Sequence, residues 1–389
     1  MINITNHNNI GEHLKTPILV FTTKGEFSIM NNITFTGYSI GSGVDTYAKL
    51  GECCEIYGKK VVVIGGERAM AALRDVLDEA IKSTNLEILA YEWFGGVASY
   101  ENGERLLTLD TVKNADMIFA AGGGKAIDCS KYVAMKLAKP LFTFPTIAAT
   151  CAATTAIAAM YHPNGVMKDV FIGPRPAIHC FINLEILANA PQIYLWAGIG
   201  DTLAKYTEVP FCARGMNLSN NDALGTVMSE MSGTPLIKYG AGALDSVKNK
   251  KTSFELEQVA LAVIVTTGMI SYLIDVNLNS GMAHAIFYGM TSLSQIEERH
   301  LHGEVVSYGV LCMLIMDGQM EKLKEIYDFM KSVNLPTKLA DIEVSVEELD
   351  ITLDSAVTKY DIEVGPYKIT KEMMYKAIMD LEEYNKVQG

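Results

Sequence analysis

A glycine-rich turn in the first third of the chain constrains the fold more than any other feature. The apolar run Met117–Ala120 leads into Gly122–Gly124, and a helical pattern begins at Ala126. A buried strand, a glycine turn and a helix together suit a phosphate, because glycines let the backbone approach and the first helical N–H groups attract an anion. The candidate phosphate contacts are Gly122, Gly123, Gly124 and Lys125. The spacing is neither that of a P-loop nor GxGxxG, so a turn that binds nothing remains an alternative.

Strand-like and helical patterns alternate around this turn. The β-branched run 61–64 predicts a strand covered on both faces. Further strands are predicted at 86–90, 117–120, 141–144 and 178–182, and extended segments at 17–39. The alternation predicts an α/β fold with a parallel sheet, whose ligands lie beyond the carboxyl ends of the strands.

Helical patterns dominate after about residue 190. They cover 193–216, 219–241, 253–276, 280–293, 303–331 and 371–386. A chain of 389 residues is also too long for a single compact core. We therefore predict a dinucleotide-binding α/β domain at 1–185 and an all-α metal and substrate domain at 186–389.

The composition narrows the classes of partner. Hydrophobic residues make up 49% of the chain and charged residues 20%, which is typical of a globular protein. The net charge of −13 argues against nucleic acid and anionic membranes. The chain starts without a signal-peptide pattern, and its seven cysteines include no CxxC pair. We expect a cytoplasmic homo-oligomer that acts on a small molecule, without nucleic-acid or membrane partners.

Three polar residues stand out in the helical half, namely Asp201, His284 and His302. Each has an ordinary alternative, as a helix cap, a core histidine and a loop histidine beside His300. The two candidate histidines are 18 residues apart, which is about 27 Å in one unbroken helix and too far for one ion. If the polar stretch 295–299 reverses the chain, two imidazoles and a carboxylate hold an ion and leave one position open, as in catalytic zinc or iron sites.

Five short motifs follow one another along the chain: Gly122-Gly123-Gly124-Lys125 with Asp128; Pro145-Thr146-Ile147-Ala148; Ala197-Gly198-Ile199-Gly200-Asp201; Ala283-His284-Ala285-Ile286 with Gly289; and His302-Gly303-Glu304. In this order they resemble the iron-containing alcohol dehydrogenase superfamily, in its glycerol-dehydrogenase-like branch. The resemblance covers roughly residues 35 to 340. It implies a dehydroquinate synthase-like fold, in which substrate and metal lie in a cleft between the two domains.

The resemblance also implies an activity and a set of site residues. The activity is metal-dependent hydride transfer between NAD or NADP and a small alcohol, either a 2-hydroxy acid or a polyol. By position, Asp201, His284 and His302 match ligands of a divalent zinc or iron ion. Gly122–Lys125 match the pyrophosphate loop. The positions that match the lining of the cofactor site are Asp128, Thr146, Thr155 and Tyr161.

One departure from the family concerns the adenosine ribose. Gly66 stands where relatives often carry an aspartate that binds this ribose. Without that carboxylate a 2′-phosphate meets no repulsion, and Arg68 is able to pair with it. Glu67 is also near enough in sequence to reach the ribose. We predict that NADPH is accepted at least as well as NADH.

Two further departures concern the substrate. Cys151 stands where glycerol dehydrogenases carry an aspartate that faces the polyol, so the chain looks more like bacterial hydroxycarboxylate dehydrogenases. A neutral thiol accommodates an anionic 2-oxo acid more easily than a carboxylate does. No neighbouring base marks Cys151 as a nucleophile. Phe287-Tyr288 replaces a frequent His-Asn pair, which leaves proton relay unassigned.

Three alternative functions remain at this stage. The first is glycerol dehydrogenase proper. The second is a dehydroquinate-synthase-like cyclase, which needs more basic residues for a phosphate than Lys205 and Arg299 provide. The third is a non-catalytic nucleotide-binding protein, against which the presence of all three ligand positions argues.

Overall fold

A parallel sheet forms the centre of the first half of the computed structural model, which describes residues 33–388. The strands are β1 Gly37–Gly41, β2 Lys60–Gly65, β3 Glu87–Trp93, β4 Met117–Gly122, β5 Leu141–Pro145, β6 Ile157–Tyr161, β7 Met167–Ile172 and β8 His179–Asn183. Six of them form the sheet in the order β1-β8-β5-β4-β2-β3, with every neighbouring pair parallel. The predicted parallel sheet is confirmed, and the extended segments predicted at 17–32 lie outside the described residues.

A crevice lies between β2 and β4, because the connections that leave these two strands run toward opposite edges of the sheet. From β2 the chain continues to β3 at one edge, whereas from β4 it continues to β5 on the other side. The two strands lie side by side, with Gly65 paired to Ala121 near their carboxyl ends. Their ends therefore form the topological switch point at which open α/β sheets bind ligands.

The helices cover both faces of the sheet and make up most of the second half. Those of the first half are α1 Leu50–Cys54, α2 Glu67–Ile81, α3 Tyr100–Thr108, α4 Asp110–Asn114 and α5 Gly124–Lys136. Those that follow the sheet are α6 Leu184–Asn189, α7 Gln192–Ala213, α8 Asn220–Met228, α9 Glu230–Lys248, α10 Phe254–Ala260, α11 Thr267–Leu273, α12 Met282–Met290, α13 Ser294–Arg299, α14 His302–Met316, α15 Met320–Ser332, α16 Leu349–Ala356 and α17 Lys371–Gln388.

Some of the predicted elements differ from the structure. The predicted helix 303–331 is wrong, because Gly318 with φ +68° separates α14 from α15. The predicted helix 219–241 is two helices that meet at Ser229, and the second continues to Lys248. The antiparallel hairpin of β6 and β7 was not predicted.

One apolar helical stretch bears on membrane association. Among the described residues, Phe254–Leu273 is the one helix long and apolar enough to cross a membrane. However, 61% of its apolar window is buried inside the protein, and a π-helical turn at Leu261–Thr266 interrupts it. These are properties of a core helix, which suggests a soluble protein.

Candidate metal centre and cofactor cleft

Asp201, His284 and His302 come together from three helices. Asp201 lies in the middle of α7, His284 is in the first turn of α12, and His302 is the first residue of α14. The short helix α13 reverses the chain between the histidines, as the sequence hypothesis required. Asp201 Oδ1 lies 3.6 Å from Nε2 of His284 and 3.2 Å from Nε2 of His302. One ligand atom from each residue lies within 4.8 Å of the other two.

Two glycines make this convergence possible. A Cβ atom on Gly200 would lie 2.3 Å from the Gly303 carbonyl oxygen, and one on Gly303 would lie 2.0 Å from the Ala197 carbonyl oxygen. Contacts this short are forbidden, so only glycine lets the backbones of α7 and α14 approach so closely. The glycines beside Asp201 and His302 in the two motifs thus set the distance between these side chains.

Glu208 is a site residue that the sequence reasoning missed. Its side chain is fully buried and accepts a hydrogen bond from the backbone N–H of His284 at 3.0 Å. Its second oxygen lies 2.6 Å from Nδ1 of the His284 ring. Because a carboxylate only accepts, Nδ1 carries the proton and Nε2 faces Asp201. The available signal was a stripe at positions 201, 205 and 208, which are the only charged residues of α7.

In the cluster formed by Asp201, His284 and His302, neighbouring groups shift the pKa of Asp201 and that of His284. Burial by itself would raise the pKa of Asp201, but hydrogen bonds with His284 and His302 hold it below its usual range. Burial by itself would lower the pKa of His284, but Glu208 and Asp201 raise it to about 10. Binding of a cation through Nε2 of His284 therefore displaces a proton, as is general for histidine ligands.

The donor set fits a divalent metal ion. Two imidazole nitrogens and one carboxylate oxygen suit zinc or ferrous iron and leave a position open for a substrate oxygen. Glu208 supplies the outer carboxylate that orients a ligating histidine. The His302 side chain is 37% exposed, compared with 12% for His284, so the cluster opens on the His302 side.

The glycine turn follows β4 and fits a pyrophosphate. Gly122 has φ +144°, a conformation that L side chains rarely adopt. A Cβ atom on Gly123 would lie 2.5 Å from the Ile147 side chain. Helix α5 begins at Gly124 without a side-chain cap, so its first N–H groups are available to an anion.

Four other candidate cofactor residues lie around this crevice. The backbone N–H of Thr146 donates to the Gly122 carbonyl oxygen at 3.2 Å. The Lys125 ammonium lies 5.1 Å from the centre of the Tyr161 ring. Arg68 is exposed in the first turn of α2.

Gly66 caps α2 without a side-chain hydrogen bond. A Cβ atom on Gly66 would make only ordinary contacts, the nearest at 3.7 Å from Phe94. Packing therefore does not require glycine at this position. The absence of a carboxylate here changes the charge at the crevice and is not forced by lack of space.

Asp128 and Thr155 are engaged by a lysine. The Lys131 ammonium lies 2.9 Å from Asp128 Oδ1 and 3.4 Å from Thr155 Oγ1. Asp128 also accepts from the backbone N–H of Ala159 at 3.1 Å. These contacts tie α5 to β6, so the carboxylate is internally paired, and its contribution to a cofactor site stays a prediction.

Cys151 lies on the metal side of the crevice. The loop before it packs against α7, since a Cβ atom on Gly198 would lie 2.2 Å from the Ala148 carbonyl oxygen. Burial raises the pKa of the Cys151 thiol, which is also influenced by the charges of Lys205 and Asp201. The thiol is therefore protonated near neutral pH, as suits a pocket-lining residue.

The surroundings of His302 are not those of an exposed loop shared with His300, which was the ordinary alternative for this residue. His300 does not share a loop surface with it, because the His300 ring is only 7% exposed and its Nδ1 lies 3.0 Å from Glu304. The Phe287 ring packs edge-to-face on His302, with centroids 4.4 Å apart. Phe287 therefore shapes the wall of the cluster but offers no group for proton relay.

Comparison with known proteins gives relatives that match the chain over most of its length. A sequence model described as iron-containing alcohol dehydrogenase matches residues 38–179. A glycerol dehydrogenase of Thermotoga maritima is 32% identical over 341 residues, which cover 83% of this chain and 91% of the relative. Hydroxycarboxylate dehydrogenase A of Escherichia coli is 31% identical over 330 residues, with 84% and 90% covered. The crystal structure of a probable glycerol dehydrogenase from Sinorhizobium meliloti superposes with a TM-score of 0.79 at 26% identity, covering 92% of this chain and 100% of that one.

Proposed function

The chain belongs to the iron-containing alcohol dehydrogenase family, and we propose that its site interconverts a small 2-hydroxy acid and the corresponding 2-oxo acid. Membership makes it a metal-dependent alcohol oxidoreductase that uses a nicotinamide cofactor and a divalent metal. The choice of substrate rests on one observation, namely the buried, neutral Cys151 thiol, which lies within electrostatic range of Asp201.

The metal is held, in this proposal, by Asp201 Oδ1 and by Nε2 of His284 and His302. A divalent ion at this position supplies Lewis acidity toward the alcohol or carbonyl oxygen of the substrate. Glu208 fixes the His284 ring by accepting from its Nδ1–H at 2.6 Å. The glycines of α7 and α14 keep the carboxylate and the second imidazole at their short separation.

The cofactor binds, in this proposal, across the switch point between β2 and β4. Gly122–Gly124 and the first turn of α5 hold the pyrophosphate, with Lys125 as a neighbouring cation. A bound nicotinamide would donate the hydride in its reduced form and accept it in its oxidised form. Thr146 and Tyr161 line the crevice, whereas Lys131 holds Asp128 and Thr155 in the wall behind it.

The 2-hydroxy acid is favoured over a polyol by charge. An aspartate at position 151 would stand close to Asp201 and repel a substrate carboxylate, whereas the protonated thiol does not. Hydroxycarboxylate dehydrogenase A, one of the relatives reported above, bears a name consistent with this class. The polyol alternative, glycerol dehydrogenase proper, is favoured by the name of the Thermotoga maritima relative.

We predict that Cys151→Asp reverses this preference. Its kcat/KM for a 2-oxo acid should fall about 10- to 100-fold, because a second carboxylate enters the pocket. Its kcat/KM for glycerol should not fall. Cys151→Ser, which stays neutral, is the matched control and should resemble the wild type. The assay is the absorbance of the reduced nicotinamide with 2-oxo acids and polyols, and an unchanged preference in Cys151→Asp contradicts the substrate proposal.

We also propose that NADPH is accepted at least as well as NADH, because Gly66 lacks a carboxylate and Arg68 lies on the exposed first turn of α2. Arg68→Ala should lower kcat/KM for NADPH about tenfold or more and leave that for NADH within about threefold. Steady-state kinetics with both cofactors provides the check. A strong NADH preference in the wild type, or equal losses in the variant, contradicts it.

The remaining features of the proposal are organisational. The α/β half at 1–185 binds the cofactor, and the helical half at 186–389 binds the metal and the substrate. We propose that the protein is a cytoplasmic homo-oligomer without nucleic-acid or membrane partners, on the grounds of its net charge of −13 and its buried apolar helix.

A further inference from the structure

Two lysines are buried near the crevice, and they differ in whether a carboxylate pairs with them. Lys131 has a carboxylate partner in Asp128 at 2.9 Å. Lys205 donates instead to the backbone oxygen and Oδ1 of Asn279, at 2.5 and 2.7 Å. Within residues 33–388, no carboxylate oxygen lies within 4.0 Å of the Lys205 ammonium. A buried ammonium that only neutral oxygens accept from lacks a counter-ion.

The position of Lys205 relates it to the metal cluster. It follows Asp201 by one turn of α7, so both side chains lie on the same face of the helix. Cys151, Glu208 and Asp201 are among the groups whose charges would act on its ammonium. The close packing of α7 on the Ala148 carbonyl brings the Cys151 loop to this face. The ammonium is therefore within electrostatic range of Cys151, the residue that distinguishes this pocket.

The charges of the cluster leave Lys205 uncompensated. With a divalent ion in place and both histidines neutral, the carboxylates of Asp201 and Glu208 offset the ion. The Lys205 ammonium then remains as one net positive charge in a site that is mostly closed to solvent. A monoanionic ligand offsets this charge, whereas a neutral ligand leaves it uncompensated.

We propose that Lys205 binds the carboxylate of the substrate and so determines its specificity for 2-hydroxy and 2-oxo acids. The inference rests on the proposed function, because it assigns a residue to one end of the same substrate. Two of the three ammonium hydrogens go to Asn279, and the third is available to a carboxylate oxygen. The neutral Cys151 leaves the ammonium free, whereas an aspartate at that position would pair with it.

The titration of Lys205 is consistent with this role. Burial lowers the pKa of Lys205, while the carboxylates of Glu208 and Asp201 act in the opposite direction. A carboxylate that binds beside the ammonium favours its charged form. Substrate binding and the charge on Lys205 therefore support each other.

The test compares two substrates of similar size on one variant. Pyruvate and hydroxyacetone share a methyl ketone and differ in carrying a carboxylate or a hydroxymethyl group. Lys205→Met, in the metal-loaded protein, should raise KM for pyruvate about 10- to 100-fold and leave KM and kcat for hydroxyacetone within about threefold. Binding of oxamate, a carboxylate that is not reduced, should weaken by a similar factor in calorimetry. Lys238→Met, which removes an exposed lysine from α9, should match the wild type in every measurement.

A second variant covers the case in which Lys205→Met fails to fold. Asn279→Asp keeps the lysine and places a carboxylate at the atom that lies 2.7 Å from its ammonium. It should also weaken pyruvate and oxamate binding at least about tenfold and spare hydroxyacetone. Melting curves identify variants whose fold is lost.

The possible outcomes separate this inference from the proposed function. Equal losses on pyruvate and hydroxyacetone, or unchanged oxamate binding in a folded variant, overturn the role of Lys205. Wild-type protein that reduces hydroxyacetone but neither reduces pyruvate nor binds oxamate overturns the proposed substrate class, and the inference with it. Loss on pyruvate alone supports both.

Discussion

His284→Ala is expected to lose its bound metal and at least about 1,000-fold of its turnover while keeping its fold. His284 contributes one of three donors that lie within 4.8 Å of one another, and two remaining donors hold a divalent ion poorly. The fold should persist, because Glu208 keeps its hydrogen bond from the backbone N–H of residue 284 at 3.0 Å. Metal analysis of the purified protein, kinetics and a melting curve are the measurements.

The controls for this prediction lie in the same cluster and beside it. His302→Ala should behave in the same way, since its Nε2 lies 3.2 Å from Asp201 Oδ1. Phe287→Leu, which changes the apolar neighbour of His302, should retain the metal. Full turnover of His284→Ala after removal of its metal by a chelator would refute the metal role.

Glu208→Gln is expected to weaken metal binding about 10- to 100-fold, although Glu208 is not one of the proposed ligands. The glutamine amide is nearly the same size as the carboxylate, but it has no negative charge. That charge, which faces Nδ1–H, makes Nε2 of His284 a stronger metal ligand. The amide is also able to turn its NH₂ group toward Nδ1, which would favour the wrong tautomer. Activity should recover when more zinc or ferrous ion is added, which distinguishes this change from loss of a ligand.

Calorimetric titration of the metal-free protein measures the affinity directly. Glu298→Gln is a suitable control, because it makes the same chemical change on the exposed surface of α13. An affinity in Glu208→Gln equal to that of the control would show that Glu208 does not tune the site.

Much of the fold could be predicted because its signals are local. The β-branched run in β2 and the apolar run before Gly122 are read from a few adjacent residues, and both are strands in the sheet. The break between α14 and α15 was missed because the helical pattern continues on both sides of Gly318, whose φ of +68° ends the first helix. The hairpin of β6 and β7 was missed because its strands are short and β7 is largely exposed.

Some residues of the candidate site could be predicted from the sequence, and others could not. Asp201, His284 and His302 stand in motifs with glycine neighbours, and those glycines mark the close approach of α7 and α14. Glu208 and Lys205 belong to no recognisable motif. Their roles depend on contacts with residues distant in sequence, namely His284 of α12 for Glu208 and Asn279 for Lys205. The pairing of Asp128 with Lys131 likewise depends on where β6 lies.

The most direct test of the account is anomalous diffraction from crystals of the active, metal-containing protein, recorded on both sides of the absorption edge of its metal. The account predicts one strong anomalous peak about 2.0–2.2 Å from the Asp201 carboxylate and from Nε2 of both His284 and His302. A peak bound by other residues, or active protein with no peak among these three, would contradict it.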